Sequence, residues 1–268
     1  MIDINGTTRV CGLIGNPVGH SISPVIHNSL AQLMDMNMVY TTFKVEKGDV
    51  VTAVNGAYAL NILGLNVTVP HKQAVMESLV DIDPLAKAIG AVNTLVRTDK
   101  GYKGYNTDIL GLERELIDEG VVLLGSRCVI LGAGGAARAI AFLCAKSGAK
   151  EIYMLNRTKE KAYDIAKAVN DYFGKECIKP MLISEYDKLE ADDYVVIQTT
   201  SVGLYPNVDD VVIDDEAFYK NAGKPACNGL KMLLYQGVAA YELWNDVSVT
   251  KEQADKVYNK MKEELGIE

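Results

Sequence analysis

Lys72 and Asp108 are the one obvious pair of opposite charges in this chain that falls among residues suited to holding a small ligand. A lysine ammonium fixed beside a carboxylate in a partly dry pocket stays charged and oriented, and it can deliver or take a proton. Ser21 and Ser23 of "SISP", Thr68 of "NVTVPHK", Asn93 of "AVNT" and the "NTD" of residues 106–108 supply hydroxyls and amides. Two serine hydroxyls at spacing two, with Asn and Thr beside them, make a neutral hydrogen-bonding basin fit for a small polyhydroxylated acid. Taken singly these residues have plainer readings: Ser23 before Pro24 looks like a helix N-cap, and Asp108 looks like a cap for the helix after it. Their joint occurrence is what points to a site. His20, His27 and His71 lack metal-ligand spacing, so no metal is expected. His71 alternates with Lys72 on an extended segment and falls on its other face.

A second chemistry-bearing stretch is "GAGGAA", Gly132 to Ala137, which follows the apolar run "CVIL" and opens an Ala-rich helix. Gly132, Gly134 and Ala137 occupy the three positions of G-x-G-x-x-G/A. That spacing gives a tight turn, close approach of a pyrophosphate to the backbone, and a helix packed against its strand, with free N–H groups at the helix start. About 20 residues further on, a chain that reads NAD places an acid for the ribose hydroxyl. Here "LNRT" offers Asn156, Arg157 and Thr158 instead. Arg157 can pair with a 2′-phosphate that an acid would repel, so NADP(H) is favoured over NAD(H). Its alternative reading is a solvated residue at a helix start.

These residues need elements to aim them. Short β-rich runs alternate with helical patterns, the signature of βαβ units and parallel sheets. "TRVCGLIG", "VYTTFKV" and "LGLNVTV" read as strands; "PVIHNSLAQLM", "GDVVTAVNGAYAL" and a segment after Lys72 read as helices; "NTLVRTDKGYKGYN" reads as a hairpin. After "DILGLERELIDEG" a new series begins: strand "RCVILGAGG", helix "AARAIAFLCAKSG", strand "EIYMLN", helix "KEKAYDIAKAVNDYF" and strand "DYVVIQTT". Two helical patterns, "GLKMLLYQGVAAYELW" and "KEQADKVYNKMKEEL", close the chain.

The 268 residues are 49% hydrophobic and 23% charged, an ordinary globular composition whose length favours two domains. A net charge of −8 offers no basic field for nucleic acid or anionic lipid. Five scattered cysteines without a C-x-x-C pair read as reduced core thiols. No leader pattern opens the chain and no apolar run approaches the ~18 residues that span a bilayer, so a cytoplasmic protein without membrane or nucleic-acid partners is expected.

The stretches "GNPVGHSISPVIHN", "NVTVPHK", "IGAVNT", "GYNTD", "GAGGAARA", "LNRT", "TSVG" and "NGLKMLLYQGVAAYELW" resemble, in this order, the shikimate dehydrogenase family. The resemblance implies an α/β fold: an N-terminal substrate domain with a mostly parallel sheet (residues 1–108 and 237–268) and a Rossmann-type NADP-binding domain (109–236), the C-terminal helices returning to the first. It implies reversible hydride transfer between C4 of NADPH and the carbonyl of 3-dehydroshikimate, giving shikimate for aromatic amino acid synthesis, by a monomer or homodimer. By position, Lys72 resembles the family's acid/base and Asp108 its partner. Ser21 and Ser23 match carboxylate contacts, Thr68, Asn93 and Asp108 ring-hydroxyl contacts, and Gln236 the glutamine of the last substrate motif. Gly132, Ala133, Gly134, Gly135 and Ala136, then Asn156, Arg157 and Thr158, and also Thr200 and Gly229 match cofactor positions. The serine pair and Arg157 favour shikimate with NADP(H) over quinate with NAD(H). Two departures stand out. Gln198 replaces an expected Asn, and between Asn221 and Ala222 the chain lacks about twenty residues, a strand and a short helix carrying a substrate-contacting tyrosine. A chain that binds both ligands without hydride transfer is the alternative that this second departure leaves open.

Overall fold

Cys11 and Leu13 of the first strand face one apolar layer while Ile14 faces another, so that strand must lie in a sheet covered on both sides. The computed structural model describes residues 4–189, 193–200, 202–203, 210–220 and 229–267. In chain order the elements begin with β1 (Arg9–Gly15), α1 (Ser23–Leu33), β2 (Met38–Lys44), α2 (Val50–Ala59) and β3 (Gly64–Val67). There follow β4 (Asp81–Ile82), α3 (Pro84–Ile89), β5 (Thr94–Thr98), β6 (Gly101–Tyr105) and α4 (Thr107–Asp118). Next come β7 (Arg127–Leu131), α5 (Gly135–Lys146), β8 (Glu151–Asn156), α6 (Lys159–Phe173), β9 (Ile178–Leu182) and β10 (Tyr194–Gln198), then α7 (Glu216–Lys220), α8 (Leu230–Asn245) and α9 (Lys251–Leu265).

The chain forms two compact units, Met1–Glu115 with Asn228–Glu268, and Leu116–Cys227. In the first, a six-stranded sheet runs β2-β1-β3-β5-β6-β4, parallel from β2 to β3 and between β4 and β6, with β5 antiparallel to both neighbours. One face packs Cys11, Leu13, Met38 and Tyr40 against Ile26 and Leu30 of α1, Tyr241 and Trp244 of α8, and Val257 and Met261 of α9. The other packs Ile14, Leu65, Val67 and Leu95 against Val50, Val54 and Ala57 of α2. Each such side chain contributes about 1.5–3 kcal/mol on burial, so the helices are held by the sheet more than by their own propensity. Asn28 of α1 treats the outer edge of β2 as a partner strand would: its Nδ2 donates to the Tyr40 carbonyl at 3.0 Å, and the Tyr40 N–H donates to its Oδ1 at 2.8 Å.

The second unit is an all-parallel sheet, β10-β7-β8-β9. Leu131 of β7 lies opposite Leu155 of β8 and Gln198 of β10, so three strands end at one level. The mixed α/β, parallel-rich architecture is the one the sequence pattern implies.

Several details differ from the sequence reading. The boundaries drawn at 108 and 237 fall inside α4 and α8, whereas the compact units divide at Glu115, later in α4, and at Asn228, just before α8. The helix expected after Lys72 is only a 3-10 turn over Ala74–Ser78, since β4 must pair with β6 a few residues later. Helix α1 starts at Ser23, after Ile22 and without a side-chain cap. Strand β9 was not anticipated, because Pro180 interrupts its apolar run; as an edge strand it tolerates the missing N–H. The Asn221–Ala222 junction lies outside the described residues.

Candidate active site

Val67 ends β3 and the chain turns at once through Pro70, whose missing N–H ends the ladder. The Thr68 N–H still donates to Ile14, His71 N–H to Thr68, and the Lys72 carbonyl accepts from Val92 N–H at 2.8 Å. This pinned turn aims the Lys72 side chain, whose Nζ donates to Asp108 Oδ2 at 2.8 Å. Asp108 sits in the first turn of α4, and Asn93, just before β5, donates from Nδ2 to its other oxygen, Oδ1, at 2.8 Å. Both carboxylate oxygens are therefore occupied by donors. The pair is partly shielded, with side-chain exposures of 32% for Lys72 and 21% for Asp108, which leaves the ammonium protons not spent on Asp108 able to reach a ligand.

All seven substrate positions expected from the sequence, Ser21, Ser23, Thr68, Lys72, Asn93, Asp108 and Gln236, line one cavity of ≈ 440 Å³ in the first unit. Ser21 Oγ accepts from the Ser23 N–H at 3.2 Å, so Ser21 rather than Ser23 ties down the start of α1. Gln236 projects from α8, its Nε2 donating to the Leu233 carbonyl at 2.9 Å. At Gly111 a Cβ would meet the Met232 carbonyl at 2.6 Å and the Gln236 nitrogen at 2.7 Å, so only glycine lets α4 approach α8 this closely. His71 faces away and its Nε2–H donates to the Val45 carbonyl at 2.8 Å.

The sequence reading singled out the motifs that hold Asn66, Asn93, Thr94 and Thr107 but missed how these residues join one another behind this cavity. Asn93 Oδ1 accepts from the Thr107 N–H at 2.7 Å, from Thr94 Oγ1 at 3.1 Å and from Thr107 Oγ1 at 3.2 Å. Asn66 of β3 donates to Thr94 Oγ1 at 3.1 Å and to the Asn93 carbonyl at 3.3 Å. The Asn66 Oδ1 in turn accepts from Tyr40 Oη at 2.8 Å and faces His27 Nε2 at 3.1 Å. His27, Asn66, Asn93, Thr94 and Thr107 are all buried. Burial pushes the His27 pKa down to about 3, against the opposing hydrogen bond to Asn66, so its ring is neutral near neutral pH. A polar Asn66 between the buried Leu65 and Val67 was the available signal.

The second unit holds the glycine loop. Gly132 closes β7 at φ +114, a conformation open to glycine, and its N–H donates to the Leu155 carbonyl at 2.8 Å. A Cβ there would also meet Thr199 Oγ1 at 2.5 Å. Ala133, Gly134 and Gly135 then lead into α5, with Gly134 as its N-cap, and a Cβ on either of these two glycines would point into open space. Exposed Gly134, Gly135 and Ala136 at a helix start, with exposed Arg157 and Thr158 after the neighbouring strand β8, fit a dinucleotide phosphate. Asn156 Nδ2 donates to the Thr158 carbonyl at 2.9 Å and shapes that loop. Gln198 accepts from the Thr200 N–H and hydroxyl, each at 2.7 Å, so it organises the turn after β10. Gly229 lies in the first unit, before α8, at φ +76.

Residues 13–95 match the family model for the shikimate dehydrogenase substrate binding domain, and residues 116–211 match that for shikimate / quinate 5-dehydrogenase. The shikimate dehydrogenase (NADP(+)) of Desulforamulus reducens is 41% identical over 265 residues, covering 90% of this chain and 91% of that protein. The enzyme of the same name from Moorella thermoacetica is 38% identical over 292 residues, covering 99% and 97%. A crystal structure of a shikimate dehydrogenase in complex with NADP+ superimposes with a TM-score of 0.83 at 35% identity, covering 96% of this chain and 97% of that one. That of shikimate 5-dehydrogenase from Listeria monocytogenes in complex with shikimate and NAD gives 0.86 at 28% identity, covering 98% of each.

Proposed function

This chain belongs to the shikimate dehydrogenase family, and from that premise we propose that it catalyses the reversible NADPH-dependent reduction of 3-dehydroshikimate to shikimate. The observation that carries the reading is the Lys72–Asp108 ion pair at 2.8 Å in a cavity lined by every expected substrate position. When bound, NADPH supplies the hydride. Lys72 delivers a proton to the carbonyl oxygen as negative charge develops there, and takes it back in the reverse direction. Asp108 holds the ammonium charged and oriented, and Asn93 holds Asp108. Ser21 and Ser23 donate to the substrate carboxylate, and Thr68 and Gln236 face the ring hydroxyls. Gly132 to Ala136, Asn156 to Thr158, Thr200 and Gly229 are the residues that would hold the cofactor.

The test is a spectrophotometric assay of the purified chain with shikimate or quinate, each with NADP+ or NAD+. Turnover highest with shikimate and NADP+ is expected, and no turnover with any combination sinks the reading. A second reading, a protein that binds both ligands without hydride transfer, is favoured by one observation: the alignment with the Moorella relative is 292 positions long, more than this chain's 268 residues, so the relative carries residues this chain lacks. Binding of shikimate and NADP+ by calorimetry without turnover would select it.

A further inference from the structure

Two backbone groups fix the orientation of both amides behind the cavity. The Asn93 carbonyl can only accept, so the Asn66 end that faces it is the amide nitrogen. The Asn66 oxygen therefore faces His27 Nε2, which must carry the imidazole proton. The Thr107 N–H can only donate, so the Asn93 end that faces it is the oxygen, and the Asn93 nitrogen is left to face Asp108. Thr94 joins the two amides: its hydroxyl accepts from Asn66 Nδ2, and its own proton serves the Asn93 oxygen or the Thr107 hydroxyl at 2.9 Å, which itself reaches the Asn93 oxygen. His27 is stacked on Tyr40 with centroids 4.1 Å apart, which holds the plane of its ring.

We infer that the buried chain His27–Asn66–Thr94 positions the Asn93 amide, and through it Asp108 and Lys72, with Thr94 as the connecting residue and His27 in its Nε2–H form as the terminal donor. The inference rests on the proposed function for its kinetic readout. Without the chain, the Asn93 oxygen loses the Thr94 hydroxyl and is held by Thr107 alone, so the amide is less firmly kept from rotating. A rotated amide turns its oxygen toward Asp108, where it repels the carboxylate that orients Lys72.

The experiment compares the wild type with Thr94→Val and Thr94→Ser, using shikimate and NADP+. Thr94→Val is expected to lower kcat by about 10- to 100-fold, the scale of a misplaced catalytic group, with KM for NADP+ unchanged. Thr94→Ser, which keeps the hydroxyl, is expected to regain most of the lost kcat. Thr94→Val with wild-type kcat overturns the inference, as does Thr94→Ser as impaired as Thr94→Val. An inactive wild type overturns instead the proposed function. Imidazole 15N NMR of the wild type is the readout that needs no activity: His27 protonated on Nε2 is expected, and His27 protonated on Nδ1 overturns the inference whatever the kinetics.

Discussion

Among the described residues Lys72 has one carboxylate partner, and that carboxylate has a second donor, so each member of the site has a separable role. Lys72→Ala is expected to lower kcat at least ~100-fold, the low end for general acid–base catalysis, while NADP+ affinity measured by calorimetry changes little. Asp108→Asn should fall comparably, because an amide neither orients nor holds the ammonium as a carboxylate does. His27 gives a prediction about pH. Its folded pKa of about 3 lies below the ordinary 6.5, so the unfolded chain binds a proton there that the folded chain does not. Its contribution to stability is therefore complete above pH 6.5 and is lost as pH falls toward 3, with a slope of at most ~1.4 kcal/mol per pH unit. Urea unfolding across that window should show this component in the wild type and not in His27→Gln. Residues that line the cavity were legible because short motifs carry them at strand ends. The links among Thr94, Thr107, Tyr40 and His27 were not, since each has an ordinary structural reading and they meet only when β2, β3, β5, α1 and α4 come together.

At the scale of elements, alternating burial and glycine punctuation were enough to find most strands and helices. The misses were the places where tertiary pairing overrides local pattern. β9 forms around Pro180 because β8 offers a partner, and the segment after Lys72 stops short because β4 is needed by β6. β9 also brings Lys179 to Glu151, at 2.7 Å, while Arg127 reaches the same carboxylate at 3.0 Å across the β7–β8 pair. The Lys179 hydrogen bond, supported by Arg127, holds the Glu151 pKa down to about 2. Its stabilising effect is present above the usual carboxylate value and is lost as pH falls to about 2. Glu151→Gln should therefore lower the Tm at pH 7 by a few degrees at most, and the difference should shrink as pH is brought below 4. Differential scanning calorimetry over that range checks the sign.

At the scale of the molecule, the expected substrate residues lie in one compact unit and the expected cofactor residues, Gly229 apart, in the other. Ligand protection should divide accordingly. In hydrogen exchange, shikimate is expected to slow amides around residues 66–72, 91–94 and 107–111, and NADP+ those around 132–138 and 156–158; protection of the opposite set by either ligand would contradict the assignment. Two α/β layers were legible from the alternation of patterns, whereas the return of α8 and α9 to the first unit came from the family resemblance alone, since no local feature of a helix names the sheet it will cover. The Asn28 amide on Tyr40 bears on a different property, how the folded chain behaves when concentrated. A seven-residue strand at the end of a sheet is a template on which another chain can grow, and here one side chain occupies the donor and acceptor that such growth would use. Asn28→Ala should unmask that template, so the mutant would be expected to precipitate or self-associate at concentrations where the parent sediments unchanged.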